Sequence, residues 1–229
     1  MSNPALGVHG LTSVQGGQSG AMSSPTGKNS QATWSSFVGY AFIYGNSSTP
    51  TISDTFSNNW SVSSKVQDSN DGQTWVWAWI AQGGSGGTNH EVTVTPFSGQ
   101  VINKCGFIEI ENTSALDGSP VTAFSNFSTS LSNPITPTVA NDLIIGIAGS
   151  GTNYSNVIAT TTSGWANIDQ NDWTATDSSS LTSAYIANAT ISAQDPAWNS
   201  APNGSIAAIT MAFMPVTSTF LPLQSGILT

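Results

Sequence analysis

Arginine is missing from this chain altogether, and its 229 residues include only three lysines, two histidines and one cysteine. Charged residues make up 7% of the sequence, against roughly 25% in an average soluble protein. Without a field of Lys and Arg there is nothing to displace counterions from phosphates, which excludes nucleic acid as a partner. The same shortage, with a formal net charge of −9, excludes docking on anionic lipid. A lone Cys105 permits no intrachain disulfide. It sits in the apolar run Cys105-Gly106-Phe107-Ile108, where a thiol acts as a small buried hydrophobe. His9 and His90 are far apart, and no Cys/His cluster has zinc spacing, so neither metal nor cofactor is expected. No stretch approaches the length of a membrane span, and no basic segment followed by an apolar one comes after Met1. If the protein works outside a cell, it is expected to leave without a Sec-type signal peptide, for instance by lysis.

Hydrophobic residues are present in quantity, at 38% with eight tryptophans and nine phenylalanines, so a core can form despite the low charge. Polarity comes from Ser, Thr, Asn and Gly. No window carries apolar residues at helical spacing with a cap. Instead, β-branched and aromatic runs bounded by Gly, Asn, Ser, Asp and Pro predict strands. They fall near residues 7–14, 35–44, 51–54, 60–67, 73–81, 91–97, 103–111, 143–149, 156–161, 181–188 and 204–214. In the fifth of these, alternation sends Trp75, Trp77 and Trp79 to one face and Val76, Ala78 and Ile80 to the other. With both faces apolar the strand is central, and its tryptophan row lies in the core or on a covered outer face.

The two halves of the chain echo each other. Phe37-Val38-Gly39-Tyr40-Ala41 leads through turns to Trp60, then Trp77-Ala78-Trp79-Ile80-Ala81, and closes on Phe107-Ile108-Glu109-Ile110. Asp142-Leu143-Ile144-Ile145-Gly146 leads to Trp165, then Ser183-Ala184-Tyr185-Ile186-Ala187, and closes on Ala208-Ile209-Thr210-Met211. Val38 precedes Trp60 by 22 residues, as Leu143 precedes Trp165. The expected fold is all-β: a two-sheet antiparallel sandwich of jelly-roll type with an internal pseudo-twofold repeat. Residues 1–214 form one domain, with 15–33 a long Gly/Ser-rich loop. Residues 215–229 form a hydrophobic tail whose Phe220, Leu221, Leu223, Ile227 and Leu228 dock on the domain or on a neighbouring subunit.

Pro50-Thr51-Ile52-Ser53-Asp54-Thr55 followed by Asn58-Asn59-Trp60 resembles a stretch shared by a family of bacterial and phage β-sandwich surface modules, concanavalin-like or jelly-roll in type. Val92-Thr93-Val94-Thr95, Ile108-Glu109-Ile110-Glu111, Ala140-Asn141-Asp142-Leu143-Ile144-Ile145-Gly146, and Ala207-Ala208-Ile209 with Ala212-Phe213 follow in the family's order, from about residue 8 to residue 214. The resemblance implies the fold and a non-catalytic role, and names no ligand.

Catalytic patterns are thin. Glu109 and Glu111 share a strand face at roughly 6–7 Å, a spacing compatible with glycosidase carboxylates. The stretch also resembles the E-x-D-x-x-E strand of concanavalin-like glucanases, but Thr113 and Ser114 stand where a third acid belongs, so an ordinary strand with a polar outer face is expected. Asp68-Ser69-Asn70-Asp71-Gly72 and Asp169-Gln170-Asn171-Asp172 lack EF-hand spacing and read as turns. Gly83-Gly84-Ser85-Gly86-Gly87 lacks the Lys-Ser/Thr of a phosphate loop. No G-x-S-x-G elbow is present, and neither histidine has a recognisable partner. The expected protein is a non-enzymatic virion structural or surface protein, a capsid decoration or tail-associated adhesive module. It forms a homo-oligomer or joins other virion proteins at the virion surface or outside the cell. One alternative is a carbohydrate-binding module gripping surface glycans through loop tryptophans Trp173 and Trp198. A glucanase-like hydrolase is the other.

Overall fold

The computed structural model describes residues 3–31, 35–68, 72–151, 156–158, 162–172 and 179–216. They form fifteen strands and no helix. In chain order these are β1 (Ala5–Gln18), β2 (Met22–Ser23), β3 (Ser35–Tyr44), β4 (Thr51–Asp54), β5 (Ser61–Asp68), β6 (Thr74–Gly84), β7 (Val92–Thr95) and β8 (Val101–Glu111). The second half supplies β9 (Thr113–Leu116), β10 (Val121–Leu131), β11 (Asp142–Ser150), β12 (Asn156–Ile158), β13 (Ala166–Asn171), β14 (Ser180–Ala189) and β15 (Trp198–Pro215). All eleven expected strands are present. Residues 15–33 depart from the expected loop, because β1 continues through Gln18 beside β8 and Met22–Ser23 pairs with β7.

Every sheet is antiparallel. The first runs β1-β8-β3-β6-β5; the second runs β10-β15-β11-β14-β13, with β9 and β12 also paired to β15. Counted within their own halves, the five strands along each path stand in the same order: first, fifth, second, fourth, third. Val38, Tyr40 and Phe42 of β3 face Leu143, Ile145 and Ile147 of β11 across a core shared with β6, β8 and β15. The sides are closed where β5 lies against β10 and β1 against β13.

A third sheet, β2-β7-β4, covers the outer face of the first. Met22, Ile52 and Val94 pack there on Ala41, Ile43, Trp77 and Trp79. The tryptophan row is thus on a covered outer face. Trp77 and Trp79 stack with ring centroids 5.8 Å apart, and Trp75 continues the row half-buried. On the outer face of the second sheet, Leu131, Ile135 and Trp198 play the covering part. Cys105 lies under the third sheet, fully buried, and burial pushes its thiol up to about 12. No helix of the described residues is long and apolar enough to cross a membrane.

Candidate functional site

Several of the chain's few ionisable groups are inside. Asp68, Lys104, Glu109, Asp117 and Asp142 are each no more than 5% exposed. Burying a charge is costly unless it is paired or hydrogen-bonded, so what surrounds each group shows its task. Glu109 is not on a polar outer face as the strand pattern implied. Its Oε1 accepts from the Gln31 amide at 2.6 Å and the Ser35 hydroxyl at 2.8 Å, and its Oε2 from the Val8 amide at 3.2 Å. This carboxylate ties β1, the 24–31 segment and β3 to β8. Glu111 is half-buried, its carboxyl raised by burial and by the charge of Glu109.

Both histidines have partners that spacing did not reveal. His9 Nδ1 lies 3.0 Å from Asp169 Oδ2, joining β1 to β13. Alongside, the buried Lys104 donates to Asn171 Oδ1 at 2.5 Å, and Asn171 donates to Ser13 Oγ at 2.9 Å. His90 stands in a line of three, with Nδ1 2.7 Å from Ser30 Oγ and Nε2 3.2 Å from Asp54 Oδ2. The composition resembles a catalytic triad, but its imidazole and carboxylate are closed off from solvent. The His90 and Asp54 side chains are completely buried, Phe37, Phe56 and Phe107 pack round the imidazole, and the Gly87 amide donates to Ser30 Oγ. Asp54 also accepts from the Phe56 and Asn58 amides, from Asn58 Nδ2 and from Trp60 Nε1. Burial works to raise its carboxyl, but the hydrogen bonds from His90 and Asn58 outweigh it and hold the group at about 2. The Ser53-Asp54-Thr55…Asn58-Asn59-Trp60 stretch is therefore a knot that fastens the third sheet to the first.

Asp142 and Asp117 form the second knot, at the start of β11. Asp117 accepts from the hydroxyl and amide of Thr138 and from the Val139 amide. Burial would raise it, yet these donors hold its carboxyl below the usual range. Asp142 is fully buried and neither of its oxygens receives a donor. Burial, then the hydrogen bond with Asp117 and its charge, push Asp142 up to about 8. At neutral pH it holds a proton and shares it with Asp117. The unfolded chain sheds that proton near pH 4. Across pH 4 to 8 the folded state binds more protons, so this pair's contribution to stability falls as pH rises. Asp142→Asn supplies a permanent N–H donor in its place. The variant is expected to melt about 3–8 °C higher than the parent at pH 8–9, with the gain disappearing towards pH 4 in calorimetric scans. A gain independent of pH would refute the shared proton.

A cleft opens at the end of the sandwich where β3 stops and β8 begins. It has a volume of about 240 Å³ and is lined by Phe42, Tyr44, Thr74, Val101, Asn103, Gly151 and Ser179. None of the described lining side chains is charged. Its position follows from a bulge: across β3 and β8, Phe42 pairs with Lys104 and Ile43 with Ile102, so Asn103 is an extra residue. Bulges re-aim a side chain out of the regular alternation. Asn103 is 9% exposed, and its Oδ1 has no hydrogen-bond partner. Tyr44, 45% exposed, forms the rim. A Cβ at Gly151 would come within 2.7 Å of Thr74 Oγ1 and 3.1 Å of Phe42, so glycine lets the backbone pack directly on these side chains.

Of the tryptophans expected to grip a ligand, Trp198 is a correction. It opens β15 rather than lying in a loop, and it is fully buried over Gly146, where a Cβ would come within 2.6 Å of the indole. Trp173 lies outside the described residues, as do Phe220, Leu221, Leu223, Ile227 and Leu228 of the tail. Pro215 is paired with Thr113 and the Val216 amide donates to Asn112 O. Of the two Asp-rich segments, residues 69–71 are outside the described residues, and Asp169 is taken by His9. Among the described residues, no three His, Cys, Asp or Glu side chains gather as metal ligands. Compared with family models, curated proteins and solved structures, the chain matches none.

Proposed function

We propose that this chain is a non-enzymatic surface module, a structural or adhesive component of a virion. What supports this reading is where several of the family-like acids go: the Asp54, Glu109 and Asp142 side chains are buried, Asp54 fastening the third sheet to the first and Glu109 joining strands of the first. That leaves an outer surface dominated by Ser, Thr and Asn on a closed, rigid block. Such a block suits repetitive packing, where solubility does not depend on surface charge. The jelly-roll form and the pseudo-twofold repeat belong to the same reading. They are supported by the matching strand orders of the two large sheets and by Trp60 and Trp165 each standing just before the third strand of its set.

Two measurements test it. Mass spectrometry of particles from the native source is expected to find this chain as a stoichiometric component, and its complete absence would overturn the proposal. Light scattering of the purified protein is expected to show a defined oligomer that dissociates when residues 217–229 are removed.

A further inference from the structure

We propose that an isopeptide bond forms between the Lys104 amine and the Asn171 side-chain carboxamide, fastening the first sheet to the second. The two residues belong to β8 and β13, strands of different sheets, and their side chains meet in the seam where β1 lies against β13.

Three features prepare the reactants. First, they are already in contact. Lys104 Nζ lies 2.5 Å from Asn171 Oδ1, so Cγ, one carbonyl bond further, is no more than about 3.7 Å from the amine. That approaches the ~3–3.5 Å of a near-attack pair. Second, the amine is kept from water. Lys104, one of only three lysines, is fully buried. It stands opposite Phe42 of β3, and Asn171 stands opposite Leu181 of β14; both neighbours belong to the main core. An amine attacks only in its neutral form, which burial favours over the ammonium ion. Third, the carboxamide is held in one orientation, because Asn171 Nδ2 donates to Ser13 Oγ at 2.9 Å. The nitrogen that must leave is turned away from the attacking amine.

The reaction balances without a further reactant. Nζ attacks Cγ, an N–C bond forms and the Cγ–Nδ2 bond breaks. The one proton that the neutral amine sheds passes to Nδ2, which departs as ammonia. Ser13 Oγ touches the leaving nitrogen and can relay that proton. His9 and Asp169, 3.0 Å apart, lie next along the same faces of β1 and β13 and can hold it in passage. Asn171 is only half-buried, which gives the ammonia a way out. A lone cysteine permits no intrachain disulfide, and this bond places the equivalent constraint on the unfolded chain.

Mass spectrometry of the intact full chain tests this. Once any removal of Met1 is allowed for, the protein is expected to weigh less than its sequence by one ammonia, about 17 Da. Trypsin gives a second reading on the denatured chain. With Lys28, Lys65 and Lys104 and no arginine, an unbonded chain yields separate fragments 66–104 and 105–229. In the bonded chain Lys104 is blocked, so residues 66–229 are expected to stay in one piece, lighter by the same ammonia, with fragmentation placing the link at Lys104 and Asn171. Lys104→Arg and Asn171→Ala are each expected to restore the full sequence mass. An asparagine that closes on its own backbone loses ammonia without any lysine, so a deficit persisting in Lys104→Arg would overturn the bond. Full sequence mass with clean cleavage after Lys104 in the parent would overturn it too, and that reading does not depend on how the variants fold. None of these results bears on whether the chain is found in particles, so the two proposals fail separately.

Discussion

Trp77→Ala is expected to cost about 3–5 kcal/mol and to lower the melting temperature by roughly 10 °C or more. Trp77 is fully buried between the first sheet and the third. It stacks on Trp79 at 5.8 Å with planes 13° apart, and the Lys65 ammonium lies 4.7 Å from its ring centroid. Truncation leaves a cavity under a sheet whose strands run two to four residues. So small a cover cannot collapse into the gap without losing its own pairings, which places the cost at the upper end of large-to-small changes. Trp75→Ala, at the half-buried end of the row, should cost about 1 kcal/mol. Trp77→Phe should also be mild, because it removes an indole N–H that has no partner inside. Urea titrations followed by circular dichroism measure all three. Hydrogen exchange at Val92–Thr95 should accelerate in Trp77→Ala ahead of the main core. A loss below about 1 kcal/mol for Trp77→Ala would mean that the third sheet is a loose flap rather than a structural layer.

Much of the frame was legible in the sequence, for definite reasons. Strands buried on both faces, such as Ser35–Tyr44 and Thr74–Gly84, must be apolar or small along their whole length, and such runs stand out. The alternation in β6 correctly separated the tryptophan face from the Val76-Ala78-Ile80 face, since side chains in a strand can only alternate. Edge strands gave weaker signals. β10, reading VTAFSNFSTSL, and β13, reading ANIDQN, are partly open to water and need few large apolar residues, so their Ser and Asn resembled turns. β2 and β9, of two and four residues, are too short for any pattern.

The site was hidden for a different reason. Ser30, Asp54 and His90 meet only because the third sheet folds over the first, and no spacing encodes that meeting. Asn103 looks like an ordinary strand residue until its register against β3 exposes the bulge. Trp198 follows Pro196 in a segment with the composition of a loop. Only the gap over Gly146, on a strand some fifty residues earlier, explains why it is core. In each case the deciding partner is distant in sequence, and composition near the residue pointed the wrong way.

Glu109 joins these threads, because it tests whether the chain's acids hold the frame. Glu109→Ala removes the acceptor shared by the Val8 amide, the Gln31 amide and the Ser35 hydroxyl. Hydrogen bonds to a charged group are worth more than neutral ones, and each buried donor left alone carries its own desolvation cost. The expected loss is about 3–5 kcal/mol. Glu109→Gln keeps one oxygen for Gln31 and Ser35 but turns an N–H₂ towards Val8, donor against donor. Its loss should be smaller, about 1–2 kcal/mol. The graded order, wild type above Gln above Ala, should appear in urea midpoints, with faster amide exchange at Val8 and Gln31 in both variants. A hydrolase using Glu109 as its acid or base predicts otherwise: Glu109→Gln would keep its stability and abolish turnover of β-glucans. With the carboxylate wholly buried and three donors already on it, the strand-joining role is expected to prevail. An unchanged midpoint in Glu109→Ala would show that this acid was not holding β1, β3 and β8 together.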